Sequence, residues 1–145
     1  MPTVRDVLSR KGTKVQSIET TATVLEATRQ MNQHKIGALV VMNAGDIVGM
    51  FTERDVLSRV VAAQQSPGDM LIADAMTADV ICISPNEDLD DVSRIMKDRK
   101  IRHIPVLDED GDLMGLISMG DVNAFHASDQ QQTIHFLNEY IYGRV

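Results

Sequence analysis

Ile36-Gly37-Ala38-Leu39-Val40-Val41 and Ile101-Arg102-His103-Ile104-Pro105-Val106 hold the same place in two successive stretches of one 145-residue chain. Within and just beyond them, Ala38-Leu39-Val40-Val41-Met42 and Ile104-Pro105-Val106-Leu107 are apolar for too many consecutive residues to leave one face wet, which predicts a strand buried on both sides. At an offset of 65, Val80 matches Val15, Ile83 matches Ile18, Met96 matches Met31, and Lys100-Ile101 matches Lys35-Ile36. Beyond the strands the offset becomes 66, pairing Asp112 with Asp46, Gly115 with Gly49, Asp121 with Asp55 and Val122 with Val56. Upstream it is 68, pairing Val4-Arg5-Asp6-Val7-Leu8 with Ile72-Ala73-Asp74-Ala75-Met76 and leaving three extra residues around Lys11-Gly12. A repeat of roughly 60 residues therefore occurs twice.

Both copies predict the same elements. A short strand (Val15 to Ile18; Val80 to Ile83) leads to a helix with Val24, Ala27, Met31 or Leu89, Val92, Met96 on one face. Thr23 with Glu26, and Asp88 with Asp91, have the spacing of a capping box. Asn43-Ala44-Gly45-Asp46 and Asp108-Glu109-Asp110-Gly111-Asp112 predict hairpin turns, each followed by a third strand and a closing helix. The expected fold is α/β of the α+β type: two β-α-β-β-α repeats packed sheet to sheet around a pseudo-twofold axis, plus a C-terminal helix. The expected divisions are 1–64, 69–127 and 128–145, with Gln64-Gln65-Ser66-Pro67-Gly68-Asp69 as the linker. One repeat alone would bury only about 60% of its unfolded surface, so the two need each other.

Composition excludes other classes. With 14 Lys+Arg against 21 Asp+Glu the formal charge is −7, which disfavours a nucleic-acid backbone as partner. No stretch approaches the roughly 18 apolar residues of a membrane span, and the N-terminus has no apolar leader. Cys82 is the single cysteine, so neither a disulfide nor a multi-cysteine zinc site is expected, and a cytoplasmic setting fits. Asp108, Asp110 and Asp112 imitate the first acids of a calcium loop, but Leu113 and Met119 stand where glycine and glutamate are needed. No metal site and no catalytic constellation is expected.

Thr52-Glu53-Arg54-Asp55 and Ser118-Met119-Gly120-Asp121 stand where the third strand meets the closing helix. Their spacing is that of a helix cap. Capping does not exclude a second use: a carboxylate there can accept ribose hydroxyls, with hydroxyl and backbone donors left for phosphate. The ordered set of buried strand, Gly49 or Gly115, and Thr/Ser-x-x-Asp, occurring twice, resembles the tandem cystathionine-β-synthase (CBS) domain pair from about Val4 to Phe125.

That resemblance implies a non-catalytic module binding adenosine nucleotides (AMP, ADP, ATP, NAD or S-adenosylmethionine) in two inter-repeat clefts. By position, Asp55 and Asp121 match its ribose-binding acids, and Thr52 and Ser118 the neighbouring hydroxyls. Ile36-Gly37 and Ile101-Arg102-His103 match the strand segment that lines the clefts. Gln16 and Ile81 match positions whose backbone meets the adenine edge. Two departures stand out: Val40 occupies the position of Pro105, and Gly120 that of Arg54. Arg54 thus gives one cleft an extra cation, for which Arg102 and His103 are expected to compensate partly beside Ser118 and Asp121.

Ser128 to Tyr142 predicts a further helix with Ile134, Leu137, Tyr140 and Ile141 on one face, opened by Ser128-x-x-Gln131 and stopped at Gly143. It either covers its own subunit or bridges a homodimer. The function expected is a stand-alone nucleotide sensor acting on an unidentified regulated protein; the alternative is a dimeric scaffold with degenerate clefts.

Overall fold

A computed structural model describes residues 1–142, so Gly143 lies outside the described residues. The chain opens with α1 (Val4–Lys11), β1 (Ser17–Glu19), α2 (Val24–His34), β2 (Ala38–Asn43) and β3 (Asp46–Thr52). The third strand runs directly into α3 (Glu53–Asp55), which continues as π-helix over Val56–Val61. The second half follows with α4 (Ile72–Ala75), α5 (Leu89–Arg99), β4 (His103–Leu107), β5 (Leu113–Ser118) and α6 (Met119–Tyr142).

Local chemistry sets the boundaries. The Thr23 hydroxyl accepts the Glu26 N–H at 3.1 Å and opens α2. Asp88 opens α5 by accepting from the N–H of Asp90 at 2.9 Å, while the expected box partner, Asp91, turns to Arg94 at 2.8 Å. Both helices end on a left-handed lysine, Lys35 with φ 53° and Lys100 with φ 55°, which swings the chain into β2 and β4. The acids of the second hairpin make a turn of their own: Asp108 Oδ1 accepts from the N–H groups of Asp110 and Asp112.

In the first half β1 lies parallel to β2, with Ile18 opposite Val41, and β3 pairs antiparallel to β2. In the second, β4 and β5 are antiparallel, and the strand expected over Val80 to Ile83 is reduced to one parallel bridge, Ile83 to Val106. Pro105 accounts for the loss. Val40 donates its N–H to the Gln16 carbonyl at 3.2 Å, whereas Pro105 has no N–H to give the equivalent carbonyl of Ile81.

The cores are exchanged between the halves. From α1, Val4, Val7 and Leu8 pack with Leu89, Val92, Met96, Ile104 and Ile117 of the second repeat. Conversely Ile72 and Ala75 of α4 pack with Val24, Ala27, Leu39 and Phe51 of the first. A third cluster, Ala38, Val40 and Met50 against Val80, Leu113 and Leu116, joins the two sheets. Each such Val, Leu, Ile, Phe or Met side chain stabilises the fold by about 1.5–3 kcal/mol, so the pseudo-twofold arrangement is held both by crossed helices and by the sheet contact.

The C-terminal helix does not begin at Ser128. It continues α6 unbroken from Met119, because between Gly120 and Tyr142 the chain has no glycine or proline to stop it. Its first turns are anchored by buried Val122 and Phe125, the latter also covered by the Arg10 guanidinium at 4.2 Å from the ring centre. Further along, Ile134, Phe136, Leu137 and Ile141 are exposed.

Candidate functional site

The junction of β3 and α3 is a reciprocal cap. Asp55 Oδ2 accepts the Thr52 N–H at 2.9 Å and its hydroxyl at 3.2 Å, while Thr52 Oγ1 accepts the Asp55 N–H at 3.4 Å. The other carboxylate oxygen of Asp55 accepts the Thr77 hydroxyl at 3.2 Å and faces Arg59 Nε at 3.5 Å, which explains how an acid can be buried here. At the second junction the Ser118 N–H donates to Asp121 Oδ2 at 2.8 Å, and the Asp121 N–H to Ser118 Oγ at 3.0 Å. Both motifs therefore cap helices.

Against the first cap lies a cavity of about 560 Å³, inside the roughly 300–1,000 Å³ range of small-molecule sites. The first half supplies Gly37, Thr52, Arg54 and Asp55; the second supplies Ile81, Ile101, Arg102 and His103. Arg102 and His103 thus line the same cavity as Arg54, in addition to the expected neighbourhood of the Ser118 cleft. His103 also pairs across the sheet with Ser118. Burial chiefly, then the neighbouring Lys11 and Arg102, push its imidazole below the ordinary histidine range, against Asp121 and Glu53, which pull it up.

Of the remaining expected positions, Ile36 lies in a separate groove of about 510 Å³ with Arg29 and Lys35, on the other side of Glu53. Gln16 carries the carbonyl that accepts from Val40, and its side chain accepts from Gln30 at 3.3 Å. Ser118 and Asp121 lie at the pseudo-equivalent junction, where Lys11 Nζ meets Asp121 Oδ2 at 2.5 Å and the Leu116 carbonyl at 2.6 Å. Burial alone would raise the Asp121 carboxyl; bonds from Lys11 and Ser118 outweigh it and hold the group below the usual carboxylate range.

Sequence reasoning missed Thr77, Asp79, Lys100 and Leu57, which also line the cavity, and missed Lys11. The match of Lys100 with Lys35 marked the first strand end, and the three extra residues around Lys11 marked the larger of the two places where the repeats fall out of step. Chemically the cavity offers apolar walls at Val80, Ile81 and Ile101 for a flat ring. It also offers an acid and hydroxyl for a diol, and cations at Arg54, Lys100 and Arg102 for an anionic group.

Two exchanged repeats with a cavity between them define a two-repeat module. The chain belongs to the CBS domain family: the family model for the CBS domain matches residues 4–62 and 72–126. A mitochondrial CBS domain-containing protein of Arabidopsis thaliana, CBSX3, is 33% identical over 150 residues, spanning 97% of this chain and 72% of that protein. The crystal structure of a CBS-domain-containing protein from Agrobacterium tumefaciens is 36% identical, with a TM-score of 0.82 over 86% of this chain and 99% of the other. The CBS domain pair of protein MJ0100, solved in complex with 5′-methylthioadenosine and S-adenosyl-L-methionine, is 22% identical and shares the fold with a TM-score of 0.79, over 89% of this chain and 98% of the other.

Proposed function

We propose that the chain is a non-catalytic regulatory module that binds an adenosine nucleotide, with AMP, ADP, ATP, NAD and S-adenosylmethionine as candidates, and transmits occupancy to a partner protein. The cavity carries the proposal, because Thr52 and Asp55 from one half face Arg102 from the other across a space of about 560 Å³. A ligand touching both halves binds best in one mutual arrangement of them, and that differential affinity is what a partner can read. Adenosine ligands bound by the MJ0100 domain pair support the ligand class. No helix among the described residues is long and apolar enough to cross a membrane. With one free thiol, we place the protein in the cytoplasm.

A melting-temperature panel with these nucleotides tests the proposal. A ligand at about 100 times its Kd adds about 2.7 kcal/mol to the folded state, which reads as a rise of several degrees. A flat response to all of them would sink it. The exposed Ile134, Leu137 and Ile141 on α6 support a second property, homodimerisation, and if no ligand binds they favour a dimeric scaffold instead.

A further inference from the structure

We infer that each chain holds one nucleotide site and that Lys11 is the residue that closes the second, pseudo-equivalent one. The inference rests on the nucleotide reading above and adds the stoichiometry and its cause. The two junctions use their acids differently. At the open cavity, Asp55 Oδ1 is met by the neutral Thr77 hydroxyl at 3.2 Å, with Arg59 at 3.5 Å. A ribose hydroxyl can replace the threonine there, one neutral donor for another. At the second junction Lys11 Nζ stands 2.5 Å from Asp121 Oδ2 and 2.6 Å from the Leu116 carbonyl. A sugar hydroxyl entering there must compete with a charge-assisted bond, which a neutral donor does not match.

Chain geometry shows why the lysine is needed. Thr77 pairs its backbone with Met50 at 2.8 and 2.9 Å as well as donating its hydroxyl to Asp55. At the matching place in the second half, Leu116 and Asp121 are both reached by the Lys11 side chain, while the backbone turns away at Gly12, with φ 99°. The residues inserted around Lys11-Gly12 exchange a strand contact for a cation.

A second, independent difference points the same way. The Ile81 carbonyl, beside the open cavity, receives no backbone donor because Pro105 has none to offer, leaving it available to a base amino group. The matching carbonyl of Gln16 is already taken by the Val40 N–H. Gly120, in place of Arg54, leaves the second junction without the guanidinium that Arg54 supplies at the first.

Calorimetric titration of the full chain with AMP, repeated with ATP and NAD, counts the sites. One site per chain is expected, weakened 10- to 100-fold by Arg102→Ala in the open cavity. Lys11→Met, which keeps the aliphatic stem, is expected to gain a weaker second site that persists in the Lys11→Met/Arg102→Ala double variant. Two sites of comparable affinity in the parent would overturn the closure and leave the nucleotide reading standing. A Lys11→Met protein with one site only would overturn the role of Lys11. Should that variant not fold, the parent's site count alone decides. Absence of binding by parent and variants alike would remove the nucleotide reading itself, and the inference with it.

Discussion

Leu8 lies against the bare face of Gly115 so closely that a Cβ there would stand 2.8 Å from its Cδ2. Met76 meets Gly49 in the same way, at 2.5 Å from its Sδ, with the Thr77 carbonyl at 3.0 Å. These are the contacts of the exchanged helices α1 and α4, and they explain why both third strands carry a glycine. Gly115→Val is expected to cost about 1–3 kcal/mol, since buried Leu8 has nowhere to move. A fall of roughly 2–12 °C in Tm, measured by circular dichroism, is the expected reading; an unchanged Tm would show that Leu8 is free to shift.

The same exchange predicts that neither repeat folds alone. A fragment of residues 1–68 lacks Ile72 and Ala75, which complete its core, and carries Val4, Val7 and Leu8 with nothing to cover them. Separately expressed halves are expected to be unfolded by circular dichroism and to regain structure on mixing. Cooperative melting of either half by itself would contradict this.

Local pattern carried much of this fold, and long-range exchange carried the rest. The continuous apolar runs of β2 and β4, the hairpins and the cap spacing of Thr52 to Asp55 are written in adjacent residues, where periodicity can be read. That α1 serves the second core is a contact across more than 80 residues, as between Val4 and Leu89, and no local period reports it. Pro105 was visible as a departure, but its effect falls on Ile81, a partner strand away. Ser128 misled because Ser-x-x-Gln has the spacing of a cap wherever it occurs; inside a helix with no breaker, the backbone donors are already used. The cavity residues from the two halves became one group only when the sheets were placed together.

Acid should destabilise the protein in two stages. Burial holds the folded pKa of His103 below the ordinary value of about 6.5, so below that pH the unfolded chain takes up a proton that the folded chain refuses, and stability falls. Asp121, held below the ordinary carboxylate value mainly by Lys11 and Ser118 against its burial, contributes stability that is full above that value and lost as pH falls through its folded pKa. Urea midpoints measured from pH 7 to pH 3 are expected to decline through both windows. His103→Gln should flatten the upper slope and Lys11→Met the lower; slopes unaffected by either change would assign the acid sensitivity elsewhere.

Arg54 and Arg102 approach one cavity from opposite halves, so their effects on an anionic ligand are expected to resemble each other. Each charge-assisted bond lost is worth about 1.5–3 kcal/mol, or roughly 10- to 100-fold in affinity. Arg54→Gly should therefore weaken ATP more than adenosine and reduce the salt dependence of ATP binding. Equal losses for the two ligands would mean that Arg54 orders the wall of the cavity and does not meet phosphate.

The exposed residues of α6 pose a question of association. Ile134, Leu137 and Ile141 follow one another at three- and four-residue steps, so they fall on one face, and all are exposed in the single chain. Burying that face against a second copy would remove several large side chains from water at about 25 cal/mol per Å². Cutting after Ala127 keeps Val122 and Phe125, which belong to the second core, and removes only the apolar extension. The truncated chain is expected to keep its melting temperature at low concentration and to sediment as a weaker dimer or a monomer. An unchanged dimer would place the interface elsewhere, with exposed Leu57 and Val61 of the π-helical segment as the next surface to alter. Replacing those two residues by serine in the truncated chain would then separate a contact through the π-helix from one through the strands.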